Sequence, residues 1–112
     1  MSSSSQPPPP PPSGTDSLED TISRLSNYRN VHGVMILSRQ GGLIRTEGEA
    51  FGGEQGRVYA KAVKGIVEGV RAGVVEVDEG DDLRLLRIRT KKHELIITPD
   101  EKYLLVVLQD PS

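Results

Sequence analysis

From Leu83 to Leu108 the chain carries three short runs of β-forming residues separated by two tight-turn signals, and the last run has no polar face. Lys91-Lys92 marks the first turn. Pro99-Asp100 marks the second, where proline supplies the fixed φ of a type I turn and Asp can bond nearby backbone. Tyr103 to Leu108 is apolar on both sides, and so is Val34 to Leu37 further up the chain. A strand without alternation is buried on both faces. The sheet must therefore be covered on each side, which excludes a hairpin lying open on water.

The remaining elements follow from that requirement. Asp16, with Glu19 three residues on, reads as the capped start of a first helix whose stripe is Leu18, Ile22, Leu25 and Tyr28, ended by Asn30. Val31 to Ser38 is the first strand. Gly41-Gly42 supplies a turn open to positive φ, and Leu43 to Thr46 returns as the second strand. Gly48 to Gly56 reads as a mobile loop holding the lone Phe51, and a second helix runs from about Gln55 to Val77. Leu83 to Thr90 mixes Leu and Ile with Arg84, Arg87 and Arg89, the mark of an edge strand that charge protects from aggregation. With direct hairpins the strand order is 2-1-5-4-3. Two helices are available for two faces, so one covers each. The expected fold is α+β: an α-β-β-α-β-β-β chain with a five-stranded antiparallel sheet.

Residues 1–15 stand outside this plan. Six consecutive prolines, Pro7 to Pro12, fix φ and remove donors, which makes this a solvated polyproline II tail or a ligand for a proline-binding module. Residues 16–112 make one domain, able to bury roughly 60–65% of its unfolded surface. With three Tyr, one Phe and no Trp, its core falls to Val, Leu and Ile. The lack of Cys excludes a disulfide scaffold, a thiolate zinc site and a thiol nucleophile, and fits a reducing cytoplasm. A net charge of −2 gives no general pull toward nucleic acid or acidic membrane. No apolar run approaches the ~18 residues of a membrane span, and no apolar signal region opens the chain.

The second helix has three sectors at 100° per residue. Tyr59, Val63, Ile66, Val67, Val70 and Val74 form an apolar face assigned to the sheet. Arg57, Lys61, Lys64, Glu68 and Arg71 lie opposite, in water. Between them runs a stripe of Ala62, Gly65, Gly69, Ala72 and Gly73, nearly free of side chain. Each interior glycine costs about 0.8–1 kcal/mol relative to alanine, so close tertiary contact must hold this helix. The contact is either the chain's own sheet or a second copy of the helix across a two-fold axis, and the self-complementarity of one patch favours the copy. Edge strand three would then pair with its own copy. The expected dimer seam is Ala62, Gly65, Ile66, Gly69, Val70, Gly73, Leu83, Leu85, Arg87 and Arg89.

Chemistry is hard to nominate. No two glycines lie two positions apart and no Gly-Lys-Ser/Thr occurs, which rules out dinucleotide and P-loop fingerprints. His32 and His93 have no ligands at metal spacing. The acidic run Glu76 to Asp82 does not have the order of a calcium loop and reads as a solvated link. Arg84, Arg87, Arg89, Lys91 and Lys92 lack the interleaved aromatics of a nucleic-acid surface. Asp81, Asp82, Glu94, Asp100 and Glu101 are placed to neutralise them. No cofactor, metal site or catalytic set is expected, and the chain is expected not to be an enzyme.

Arg87-Ile88-Arg89-Thr90-Lys91-Lys92-His93-Glu94, followed by Pro99-Asp100 and Tyr103, resembles the C-terminal half of the roadblock-type dynein light chains, and Val31 to Arg45 resembles their first hairpin. The resemblance covers about Leu18 to Pro111. It implies the same α-β-β-α-β-β-β order and a non-enzymatic homodimer joined through the second helix and third strand. It further implies a cytoplasmic, microtubule-associated dimer that clasps a segment of dynein intermediate chain for motor assembly and cargo attachment. A second implication is a scaffold or regulator of a small GTPase, a role that relatives of this fold serve. Those relatives often carry a further C-terminal helix, whereas this sequence stops at Ser112, which sets the dynein reading first. The proline tail and the density of glycine in the second helix depart from the family pattern.

Overall fold

The computed structural model describes residues 15–111. The Ser/Pro-rich segment lies outside them, and with it the expected polyproline II conformation of Pro7 to Pro12. In chain order the elements are α1 (Thr15–Ser26), β1 (Val31–Ser38), β2 (Leu43–Glu47), a 3-10 turn (Glu49–Phe51), α2 (Gly53–Val77), β3 (Leu86–Arg89), β4 (Glu94–Pro99) and β5 (Tyr103–Gln109).

The strands form one antiparallel sheet in the order β2-β1-β5-β4-β3, as the apolar runs require. β1 and β5 are the two central partners, with Met35 opposite Val106 and Ile36 opposite Leu105. Alternate residues enter two cores. Met35, Leu37, Leu104, Val106 and Leu108 pack with Ala60, Val63 and Val67 of α2, joined by Leu95 and Ile97 of β4. Val34, Ile36 and Val107 pack on the other face beneath Ile22, flanked by Leu18 and Leu25 of α1. One helix on each face therefore gives both faces of the central strands the cover they need.

Both turns behave as their residues dictate. Thr90 N–H donates to His93 O at 2.8 Å across Lys91-Lys92, and Asp100 N–H donates to Tyr103 O at 2.8 Å. Asp100 Oδ1 accepts the Glu101 N–H at 2.8 Å. Gly41 takes φ 96° in the first hairpin.

Four local expectations are corrected. α1 begins at Thr15, so Asp16 lies inside its first turn, and it ends at Ser26 rather than Asn30. Tyr28 consequently leaves the apolar stripe and is 55% exposed. The segment after β2 is no mobile loop: it is a 3-10 turn that drives Phe51 into the core at 1% exposure. There the ring stacks edge-on against Tyr59 at 5.0 Å and fills the space beside Gly33, where an added Cβ would lie 2.8 Å from it. Lastly, β3 starts at Leu86 instead of Leu83. Its register sets Leu86 opposite Ile97, so Arg84 would fall opposite Pro99, which has no N–H to give.

Candidate self-association surface

The side of α2 that meets the sheet is narrower than its apolar content suggests. Gly56, Ala60, Val63 and Val67 form the buried ridge. Gly56 lies so close to the Phe51 carbonyl that any Cβ would collide with it. Tyr59 and Val70 flank the ridge and pack on the core, whereas Ile66 and Val74 are half-buried at its margin. Small residues at 56 and 60 let the helix approach along that line, which rotates it away from Ile66 and Val74.

That rotation leaves the small-residue stripe outside. Ala62, Gly65, Gly69, Ala72 and Gly73 are all exposed. A Cβ built on Gly65, Gly69 or Gly73 would meet nothing within 4 Å. The chain's own sheet is therefore not the partner of this stripe. From Gly65 to Gly73 the helix presents about 12 Å of nearly bare backbone. Val58, 55% exposed, and Ile66 border its N-terminal part, where they line a shallow depression with Lys61, Ala62 and Gly65.

Helical geometry fixes which way the stripe looks. Arg57, Lys61 and Lys64 border the β1–β2 hairpin, on one side of the buried ridge. Ala62, Ile66, Gly69 and Gly73 lie on the other side at 100° per residue, toward the β3 margin where Leu86 and Ile88 pack on the α2-side core. β3 pairs only with β4, so one of its edges has no partner strand among the described residues. The Ala62, Gly69 and Gly73 part of the stripe thus lies on the open-edge side of α2, whereas Gly65 and Ala72 face away from the sheet.

Of the other seam residues, Leu85 is 53% exposed beside this edge, but Leu83 is 9% exposed and belongs to the core. Arg87 and Arg89 point to the α1 side of the sheet, alternating with Leu86 and Ile88. Arg87 Nη2 lies 2.8 Å from Glu94 Oε2, and Gln109 Nε2 donates to the other oxygen at 3.4 Å. Glu94, 7% exposed, is a buried carboxylate held by these two partners. Of the expected cross-strand pairs, Arg87 with Glu94 forms; Asp82 instead takes a forked contact from Arg71 at 3.1 and 3.2 Å. The Leu83 N–H on its carboxylate, followed by Arg71, holds Asp82 below the usual carboxylate range. This contact ties the C-terminal part of α2 to the link that leads into β3. Val58 escaped the sequence reading because it lies off the main apolar face, and only its isolation among polar neighbours signals it.

The histidines do come together. His32 Nε2 lies 2.5 Å from Asp110 Oδ1, and the His32 and His93 rings meet edge-on at 5.9 Å. No hydroxyl nucleophile bonds to either ring among the described residues. Nor do these residues contain a group of three or more His, Cys, Asp or Glu able to hold a metal ion. No helix among them is long and apolar enough to cross a membrane.

A five-stranded antiparallel sheet in this order, with a helix on each face, is the architecture of the roadblock class of α+β domains. The Roadblock/LC7 domain model matches residues 17–109, and the chain belongs to that family. Its fold is similar to a Roadblock/LC7 domain from Streptomyces avermitilis, with TM-score 0.69 and 16% identity over 79% of this chain and 72% of that one. It is also similar to Myxococcus xanthus MglB, with TM-score 0.67 and 21% identity over 81% and 73% of the two chains. The gliding protein MglB of Thermus thermophilus gives TM-score 0.68 and 14% identity over 82% and 70%.

Proposed function

We propose that this roadblock domain is a non-catalytic, cytoplasmic homodimer that serves as a scaffold or regulator of a small GTPase. One observation carries the dimer. Gly65, Gly69 and Gly73 together cost α2 about 2.5–3 kcal/mol against alanine, yet among the described residues nothing occupies the space a Cβ would take. A second α2 packed across the stripe makes use of that space. A two-fold axis there brings β3 to β3 and closes the open edge, as an isologous interface does.

The GTPase reading is supported by the likeness to the MglB structures, one of them described as having a tetrameric arrangement, and by the service of roadblock relatives to small GTPases. Dynein light chain is the second reading, and the wording of Arg87 to Glu94 with Pro99 and Tyr103 favours it. Capture experiments with the tagged 112-residue chain, against a panel of small GTPases in both nucleotide states and against dynein intermediate chain, separate the two. Retention of a GTPase is the expected result. Retention of the intermediate chain alone would reverse the order.

A further inference from the structure

The other flank of α2 has a different chemistry. Arg57, Ala60, Lys61 and Lys64 meet Gly41 and Leu43 of the first hairpin around a depression of about 440 Å³, and no carboxylate lines it. Arg57 and Lys61 form no ion pair among the described residues, and Lys64 reaches Glu68 only at 4.0 Å, both groups being well exposed. Such a pair contributes little. Gly41 lies so close to the stem of Lys64 that a Cβ would collide with it, so the hairpin braces that side chain along the rim. In a chain of net charge −2, three cations on one helix flank are a local feature.

Leu43 lies in the same depression, 43% exposed, with Ile44 beside it at 51%. Leu37 is opposite Leu43 and Ile36 opposite Arg45, so Ile44 has no cross-strand partner and bulges from the strand. A bulge twists an edge away from further strand pairing. A ligand here is therefore held by side chains rather than added as a sixth strand.

We propose that this flank docks an acidic segment of a partner protein, anchored by one apolar side chain against Leu43 and Ala60, with carboxylates on Arg57, Lys61 and Lys64. Seven residues of helix separate the outer cations, about 10 Å, which an extended peptide covers in three residues. Lys61 stands where this flank meets the glycine stripe, since it also lines the depression beside Ala62 and Gly65, so dimer mass is read on every docking variant. Nucleic acid is the weaker occupant, because the basic background it needs is missing. The inference rests on the reading of the domain as a partner-binding module and names where and how a partner is held.

The test uses the 112-residue chain and a fluorescein-labelled peptide with a central Leu flanked by Asp and Glu, read by anisotropy at low and physiological salt. Binding is expected to weaken about ten-fold or more in the Arg57→Glu/Lys61→Glu variant and in Leu43→Asp, and to weaken with salt. Lys91→Glu/Lys92→Glu, which changes net charge equally at the β3–β4 turn, is expected to leave it unchanged. Equal loss in both charge variants, no binding at all, or tighter binding of single-stranded DNA or anionic vesicles by the same residues would overturn the proposal. Dimer mass and GTPase capture measured on the same variants keep its failure distinct from that of the functional reading. A dimer that captures GTPase but no peptide refutes only the docking site, and one that binds peptide but no GTPase refutes only the GTPase assignment.

Discussion

Replacing Gly69 by leucine adds a side chain where the isolated domain has open space. A Cβ at that position meets nothing within 4 Å, so the monomer gains no clash. Its helix gains about 0.8 kcal/mol of propensity. The cost falls on association. Forcing a large side chain into a close-packed contact costs about 1–3 kcal/mol, and a two-fold seam receives the change from both protomers. The dimer is therefore expected to lose about 2–6 kcal/mol, roughly 30-fold to 10⁴-fold in dissociation constant. Sedimentation equilibrium across a concentration series measures that loss, with circular dichroism and urea unfolding as controls on the fold. A soluble variant that dimerises as tightly as the parent would refute the assignment of the stripe to the seam. A variant that no longer folds as a monomer would refute the claim that the stripe is open within the chain.

Three further outcomes follow from the packing. Phe51→Ala, which removes a 1% exposed ring from beside Gly33 and Tyr59, is expected to cost about 3–5 kcal/mol in urea unfolding; a loss below about 1 kcal/mol would return Phe51 to a surface loop. Arg87→Met takes the 2.8 Å ion-pair partner from the 7% exposed Glu94, at an expected cost of about 1–3 kcal/mol, and the double variant Arg87→Met/Glu94→Leu should recover most of it. Asp82 titrates below its ordinary 3.8 in the folded chain, so its contribution is complete above the unfolded value and lost as pH falls through the lower folded one. Asp82→Asn should therefore narrow the stability gap to the parent as pH falls below about 4, and a gap that widens with acid would contradict the sign.

The sheet was legible because two strands, Val34 to Leu37 and Tyr103 to Leu108, state in their own residues that both faces are covered. The arginines of β3 place it at an edge by the same local logic. What the sequence concealed depends on long-range contact. Phe51, set among glycines and glutamates, has no periodic neighbours, and its burial is decided by Gly33 and Tyr59 from other elements. The start of β3 depends on Pro99, which its own residues do not reveal. For α2, counting apolar residues placed Ile66 and Val74 toward the sheet, but Gly56 and Ala60 let the helix approach along a different line. The glycine stripe was visible as composition. Only the open space above each glycine set the chain's own sheet aside as the partner of that stripe.

Amide hydrogen exchange read by NMR as protein concentration is raised tests the two-fold seam most directly. Pairing of β3 with its own copy predicts that amides of Leu86–Arg89 slow with concentration together with those near Gly65 to Gly73, while the β2 edge, Leu43–Glu47, stays unchanged. Exchange at β3 that is independent of concentration, or protection that appears at β2 instead, would contradict it.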